Sequence, residues 1–340
     1  MSANRHATDE RATAGAASGT AFGAAAAVAA SRPRAATPAP LAPGATVLLA
    51  VDASTLAESA AQVALDLAER RGARIHVLSV VDTRPAPIPP PVDLALALAD
   101  GAYGEALHAE QKREIRSKLS AKLQRSLDWP VEVALGTPSH AIAAEARRLG
   151  ADLVVLGLRR HRALERALND ETALNVMRTA PCPVLGVTPE LTTLPQRALV
   201  GVDFSRASLT AARIVRSLVA DGGTLVLAYV PPPATGYLPD DGERVIHELG
   251  VSAAFTWFAG ELGADAGPRI DRVVVERDPG RTVSEQLLTY ADGAGVDMIA
   301  LGSVRHGRIE RWVLGSVTTD IARDGSYPLL AVPPRDPAAT

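Results

Sequence analysis

The sequence is poor in several residue types. Its 340 residues include a single cysteine, Cys182, and only 4% aromatic residues. One cysteine cannot form an internal disulfide, which fits a reducing compartment, so we expect a cytoplasmic protein. With so few aromatics, the core must be built from Ala, Val, Leu and Ile. No run of about 18 or more strongly apolar residues occurs, so no transmembrane helix is expected.

The chain also lacks a large excess of either acidic or basic residues. The chain carries 35 basic and 38 acidic side chains, for a net charge of −3. This balance provides neither the basic surface that nucleic acids require nor a polybasic patch for membranes. The seven histidines have none of the spacings typical of metal sites. We therefore expect no metal, no nucleic-acid partner and no membrane partner.

The first 44 residues differ from the rest. Ala, Gly, Ser, Thr and Pro dominate them, and few of their side chains can build a core. A secretory signal is disfavoured because its apolar part would be mostly Ala, and because Asp9 and Glu10 fall where a basic leader belongs. We predict a disordered Ala- and Pro-rich tail over residues 1–44.

The remainder of the chain is a repeat. One copy opens with TVLLAVD at Thr46–Asp52 and the other with ALVGVD at Ala198–Asp203. GADLVVLG at Gly150–Gly157 matches GVDMIALG at Gly295–Gly302, with an offset of 145 residues (302 − 157). A match this long indicates a duplicated domain. We predict one domain over residues 45–190 and a second over residues 197–335.

Each copy alternates short apolar runs with helical patterns. This pattern predicts an α/β domain with a parallel sheet covered by helices on both faces. In the second copy it places the third strand at Arg272–Glu276 and the next helix near residues 281–292. Ser205 is predicted to cap the first helix of that copy, and Ser54 or Thr55 the first helix of the other. Ligands of such sheets bind at the carboxyl ends of the strands where the strand order reverses, here after the first and fourth strands.

The loop after the fourth strand of the second copy runs from Gly302 to Ser316. With this loop, with the Val-Asp that ends each first strand, and with the closing strands PVLGV and PLLAV, residues 45–335 resemble the universal stress protein family in its tandem form. The resemblance implies two tandem doubly wound five-stranded parallel sheets. It also implies the strand order 3-2-1-4-5 and an adenine-nucleotide alpha-hydrolase-like fold.

The family's nucleotide-binding members carry Gly, two residues, Gly, nine residues, Gly, and then Ser or Thr. In the second copy, Gly302, Gly315 and Ser316 match this frame, whereas Arg305 replaces the middle glycine. Glycines admit backbone N–H groups close to phosphate, and a helix N-terminus favours an anion. Arg305 has two interpretations: its bulk closes the loop, or its guanidinium pairs with a phosphate.

The resemblance also assigns the adenosine end of the ligand. It points to Asp203 for the ribose side and to the backbone near Val230 for the base. ATP or a related adenine nucleotide is therefore the ligand that the second copy predicts.

The first copy departs further from the family frame. Asp52 and Gly157 remain, but Arg160 replaces the middle glycine, and Asp170 and Glu171 replace Gly-Ser. Two carboxylates would repel a triphosphate, although acids at a helix start are also ordinary caps. We expect a degenerate site here.

Three functions remain open. The first is a stress-response factor that binds a nucleotide in the second copy, and the second is a scaffold in which both sites have decayed. The third, an adenylating ligase, lacks a recognisable nucleophile, acid–base pair and substrate domain. We therefore expect no enzyme, with weak ATP hydrolysis left open.

The sequences of the closing strands also lead us to expect that the two copies pair with each other. In this family the final edge strands often pair between subunits. Within a tandem chain, Val184–Val187 can pair with Leu329–Val332, which hides two sheet edges. We predict an intramolecular pseudo-dimer, with homodimerisation as an open possibility.

Overall fold

The computed structural model describes residues 41–52, 57–82, 102–158, 170–232, 241–263, 267–303 and 314–334. They belong to one compact unit, residues 38–340. The strands are β1 Thr46–Val51, β2 Arg74–Val81, β3 Val131–Leu135, β4 Leu153–Gly157, β5 Val184–Val187, β6 Arg197–Gly201, β7 Thr224–Tyr229, β8 Arg269–Val274, β9 Met298–Gly302 and β10 Leu329–Val332. The helices are α1 Glu58–Arg71, α2 Ala102–Leu123, α3 Pro138–Leu149, α4 Asp170–Thr179, α5 Arg206–Leu218, α6 Asp241–Leu262, α7 Val283–Ala294 and α8 Ser316–Asp324. Over these ranges, no helix has both the length and the apolar character needed to span a membrane.

The ten strands form one sheet. Their order is β3-β2-β1-β4-β5-β10-β9-β6-β7-β8, so each half has the predicted order 3-2-1-4-5. Pairing within each half is parallel. Between the halves, β5 and β10 pair antiparallel, with Leu330 opposite Leu185. The two expected five-stranded sheets are thus joined edge to edge by their closing strands.

The sheet is buried on both faces. Val47 and Leu49 of β1 lie in the core on the face of α1, α2, α5 and α6. Leu48 and Ala50 lie in the core on the face of α3, α4, α7 and α8. This alternation follows from the two-residue period of a strand, and it explains why the strands read as continuous apolar runs.

The aspartates of the repeated motif hold the start of the first strand in each half. Asp152 Oδ2 accepts a hydrogen bond from the backbone N–H of Thr46 at 2.8 Å. At the equivalent position, Asp297 Oδ2 accepts from the N–H of Gln196 at 2.7 Å and from that of Arg197. The repeated Asp therefore has a structural role that the sequence pattern did not reveal.

An arginine connects the two halves. Arg71, the last residue of α1, donates from Nε to the carbonyl oxygen of Ser217 at 2.9 Å and from Nη2 to that of Val219 at 2.7 Å. Its Nη1 lies 3.0 Å from Asp221 Oδ1. Since the last carbonyls of a helix lack partners within the helix, Arg71 caps the end of α5 with a charged donor.

Four sequence-based assignments need correction, two of them in the first half. Residues 41–44, assigned to the tail, are folded: the backbone N–H of Leu41 donates to Ser217 Oγ at 3.0 Å, and the side chain of Leu41 packs on the core. The N-cap of α1 is Ala57, with no side-chain cap hydrogen bond, and Ser54 and Thr55, which the sequence offered for this role, lie outside the described residues. The remainder of the tail, residues 1–40, lies outside the described residues.

The other corrections fall at the outer edge of the second half. Strand β8 runs over Arg269–Val274 and not Arg272–Glu276, since its pairing with β7 begins at Arg269. The helix expected near 281–292 starts at Val283, after a capping box formed by Thr282 and Glu285. Polar residues at an edge strand and at a cap give no apolar period from which to place these boundaries.

Candidate functional site

The candidate site of the second half lies where three neighbouring strands end. Asp203, Val230 and Gly302 follow or end β6, β7 and β9, which are adjacent in the sheet. The N–H of Val202 donates to the carbonyl oxygen of Ala228 at 2.8 Å, so β6 and β7 remain paired up to this edge. The strand order reverses between β6 and β9, which is the position at which such sheets bind ligands.

Gly302 is required by packing. A Cβ at this position would lie 2.3 Å from the backbone carbon and oxygen of Ala207, in the first turn of α5. At Gly157 in the first half, a Cβ would lie 2.6 Å from Ala57 Cβ, at the start of α1. The first glycine of the motif therefore permits close contact between strand and helix in both halves, whether or not a ligand binds.

Gly315 is different. It is the N-cap of α8 with φ −59° and ψ 155°, a conformation open to any residue, and no side chain caps the helix there. No described atom would lie within 4 Å of an added Cβ. Among the described residues, neither packing nor backbone conformation requires a glycine at this position. Gly315 adds no side chain in front of the first N–H groups of α8, and Ser316, the first residue of the helix, is exposed.

A buried hydroxyl, that of Ser303, lies on the face of the sheet that packs against α8. Ser303 is 2% exposed, and its backbone N–H donates to the carbonyl oxygen of Val332 at 2.8 Å. Within the described part of the chain, its Oγ has no hydrogen-bond partner. Ile299 and Leu301 belong to the core cluster that contains Ile321 of α8. Because side chains alternate along a strand, Ser303 lies on the α8 face of the sheet.

The first half has an apolar residue at the same position. Leu158, which precedes Ser303 by the repeat offset, is 3% exposed and packs in the cluster that contains Ala173 and Leu174 of α4. Sequence reasoning missed Ser303 because a single serine matches no motif. Alignment of the two copies at the offset of 145 would have exposed the difference.

Asp203 organises the turn that leads into α5. Its Oδ1 accepts from the Ser205 N–H at 3.0 Å and from Ser208 Oγ at 2.8 Å. Ser205 caps α5 as predicted, accepting from the Ser208 N–H at 3.3 Å. Asp203 itself is exposed, so its carboxylate faces the open edge of the sheet while the turn behind it is held in place.

Phe204, which the sequence did not single out, lies between them with a φ of 60°. This left-handed conformation is costly for a residue with a side chain. The ring packs against Tyr229 and Phe255, with centroids 5.0 Å apart in both pairs. Burial raises the pKa of Tyr229. The aromatic contacts stabilise the strained turn next to Val230.

The first-half residues are only partly described. Asp52 is exposed after β1, and Gly157 ends β4 beside it. Asp170 and Glu171 form the first turn of α4, so the backbone places two acids at the helix start, as the sequence predicts. Arg160 and Arg305 lie outside the described residues.

Neither a metal site nor a reactive thiol is evident. Across the described ranges, no group of three or more His, Cys, Asp or Glu side chains is arranged to hold a metal ion. Cys182 is buried, and burial raises its pKa to about 12. Its thiol is therefore protonated and inert at neutral pH.

Comparison with known proteins identifies the family. The model of the universal stress protein family matches residues 45–188 and 195–333. The chain belongs to the universal stress protein family. A universal stress protein of Thermus aquaticus is 34% identical over 143 residues, which cover 41% of this chain and 96% of the relative. Another, MJ0531 of Methanocaldococcus jannaschii, is 30% identical over 145 residues, covering 42% of this chain and 80% of the relative.

A solved structure extends the likeness to both halves. The crystal structure of a universal stress protein from Archaeoglobus fulgidus covers 85% of this chain and 98% of its own, with a TM-score of 0.58 and 17% identity. At this identity the match establishes the fold alone, an α/β architecture with a mostly parallel sheet. The two tandem family domains are shown by the family model.

Proposed function

We propose that this universal stress protein binds one adenine nucleotide, ATP or a close relative, in its second half. We further propose that it acts in the cytoplasm as a stress-response binding protein and not as an enzyme. The observation that carries the proposal is the buried hydroxyl of Ser303, which has no hydrogen-bond partner among the described residues and lies on the sheet face that packs against α8, a helix whose N-cap, Gly315, offers no capping side chain.

The energetics favour a ligand with oxygen acceptors. A buried hydroxyl without a partner costs about 1–3 kcal/mol, which a hydrogen bond to a bound ligand would recover. The free N–H groups at the start of α8 carry the positive end of the helix dipole, which favours phosphate. Gly315 adds no side chain that would keep a phosphate away from these groups.

The remaining contacts follow the strand ends. Asp203, held through Oδ1 by the turn into α5, is available to a ribose hydroxyl. Val230 directly follows the adjacent strand, β7, and its backbone would meet the base. Arg305 lies in the intervening loop, where its guanidinium would pair with the phosphate chain.

The first half has lost these features. Leu158 replaces the hydroxyl, and two acids occupy the helix start at Asp170 and Glu171. Each acid brought close to a phosphate costs roughly 1–4 kcal/mol, depending on the effective dielectric constant. We therefore propose one nucleotide per chain.

Calorimetric titration of the full chain with ATP at low salt tests the proposal. The wild-type protein should bind. Ser303→Ala should weaken ATP binding about fivefold or more while leaving the unliganded protein at least as stable, because the hydroxyl has no partner to lose. Thr188→Val is the matched control, since Thr188 is also fully buried with an unpartnered hydroxyl but lies in the first half. It should leave the ATP affinity unchanged.

A second pair of variants tests the helix start. The double variant Gly315→Asp, Ser316→Glu gives α8 the acids of the first half and should abolish ATP binding. A control that adds two acids at the exposed Ala106 and Ala109 of α2 should bind ATP normally. Absence of heat and of a thermal shift in the wild-type chain would refute nucleotide binding but not family membership.

A scaffold without ligand remains the second candidate, favoured by the arginines in place of the middle glycines. Arg305→Gly separates the two functions. If the variant binds ATP and the natural chain does not, the natural protein is a scaffold. If the variant loses binding that the natural chain has, Arg305 is a phosphate ligand.

We also propose that the two halves act as the two subunits of a dimer within one chain. The antiparallel pairing of β5 with β10 supports this pseudo-dimer, since it occupies the closing edge of each half.

A further inference from the structure

The outer face of α6 carries apolar side chains that are exposed to solvent. Ile246 is 71% exposed, Leu249 64% and Trp257 42%. The opposite side of the helix is buried through Phe255 and Phe258. A helix with apolar residues on both sides is expected to be covered on both sides, yet the described residues of this chain cover only one.

The equivalent helix of the first half shows what a solvated face looks like. Helix α2 buries Ile115 and Leu119 on one side. Its exposed side carries ion pairs, including Arg113–Glu110 at 2.7 Å and Lys118–Glu114 at 2.6 Å. Residues 249–260 of α6 contain no charged residue at all. The two halves share a fold, so the difference is specific to the surface of α6.

The exposed residues follow the spacing of a helix–helix contact. Ile246, Leu249, Ala253, Trp257 and Gly260 recur at intervals of three and four residues, which places them on one face of the helix. Gly260 is exposed inside the helix, and no described atom would lie within 4 Å of an added Cβ. Glycine is unfavourable within a helix, and nothing described in the fold of this chain requires it here.

We infer that α6 pairs with α6 of a second copy of this chain, antiparallel and centred on Ala253. In such a pair, residues equally distant from Ala253 face each other. Ile246 then meets Gly260 of the other copy, a bulky residue opposite an empty position. Leu249 meets Trp257, and the small Ala253 at the two-fold axis lets the helices approach closely.

Because the arrangement of large and small residues is self-complementary, we take the partner of this surface to be a second copy of the chain. A two-fold interface requires one patch to fit itself, and α6 places large residues at one end and a gap at the other. The absence of charge between Leu249 and Gly260 allows the same residues to meet without like-charge repulsion. The closing strands, which pair within the chain, remain unaffected. Since a single helix face makes a small interface, we expect micromolar affinity.

Sedimentation equilibrium of the full chain over a concentration series tests the inference. The chain mass is 35.4 kDa, and the wild type should approach twice that mass, about 71 kDa, as its concentration rises to about 100 µM. Ala253→Glu should weaken association at least tenfold. Ala109→Glu, the same change at an exposed position of α2, should leave it unchanged.

Cross-linking provides a second measurement that is independent of the glutamate variant. Ala253→Cys should be joined into covalent dimers by a short bis-maleimide, because the two introduced thiols face each other across the axis. Ala109→Cys should not, and the buried Cys182 should not react. A wild-type chain that stays monomeric at about 100 µM overturns the inference. So does a dimer that persists in Ala253→Glu, or that cross-links equally through Ala109→Cys.

Discussion

Substitution by alanine should have different effects at the two glycines that bound the loop, Gly302 and Gly315: the first should reduce stability and the second should weaken ATP binding. At Gly302 the added Cβ would lie 2.3 Å from the Ala207 carbonyl carbon and oxygen and 2.7 Å from the Ser208 nitrogen. All three are backbone atoms of α5, so no side chain can rotate to relieve the contact. The helix must move away from the sheet, and forced shifts of this kind cost about 1–3 kcal/mol or more.

Gly315→Ala should have almost no effect on stability. No described atom would lie within 4 Å of an added Cβ, and the φ of −59° suits any residue. We therefore expect the free energy of unfolding to change by less than about 0.5 kcal/mol. The new methyl group lies at the N-terminus of α8, where phosphate would approach the N–H groups, so ATP binding should weaken instead.

Chemical unfolding of both variants, in parallel with ATP titration, measures the two effects. Gly302→Ala should unfold at lower denaturant concentration, and Gly315→Ala should unfold with the wild type. Equal stability of Gly302→Ala and wild type would refute the packing role of Gly302. A large loss of stability in Gly315→Ala would refute the assignment of Gly315 to ligand access.

Three further predictions concern stability and reactivity. Arg71→Ala should lower the free energy of unfolding by about 2 kcal/mol, because it removes charged donors from the end of α5. The control Arg70→Ala loses one exposed ion pair at 3.6 Å and should cost under about 0.5 kcal/mol. Equal losses of the two variants in urea unfolding would contradict the capping role of Arg71. Desolvation raises the pKa of Asp297 in the folded chain, so its contribution to stability is present at low pH and is lost as pH rises through that raised value. The free energy of unfolding of Asp297→Asn, relative to that of the wild type, should therefore be higher at pH 7 than at pH 4. An equal difference in unfolding free energy at both pH values would contradict this prediction. Cys182 should react with a thiol reagent at neutral pH only after unfolding, and rapid labelling of the folded chain would disprove its burial.

Much of the fold could be read from the sequence because its strands are buried on both faces. The run TVLLAVD predicted β1 within one residue, and the duplicated GADLVVLG and GVDMIALG segments located β4 and β9. Strand order came from the family resemblance and not from the residues. The start of the edge strand β8 could not be predicted, because Arg269 and Asp271 interrupt the apolar run by which the other strands are recognised.

The site was predictable only where a motif exists. Gly302, Gly315 and Ser316 matched the family frame, but the frame does not distinguish a glycine required by packing from one that leaves space. Ser303 matches no motif, and its importance depends on burial and on the absence of a partner. The positive φ of Phe204 arises from a turn stabilised by aromatic rings of β7 and α6, contacts that no local pattern reveals.

The number of nucleotides bound per chain tests the central claim most directly. Equilibrium dialysis of the full chain against labelled ATP measures it without reference to any variant. We predict one nucleotide per chain, bound in the half that carries Ser303, Gly315 and Ser316. No bound nucleotide at saturating ATP would contradict the proposed function. Two per chain would contradict the reasoning that Leu158 and the acids at the start of α4 eliminate the first site.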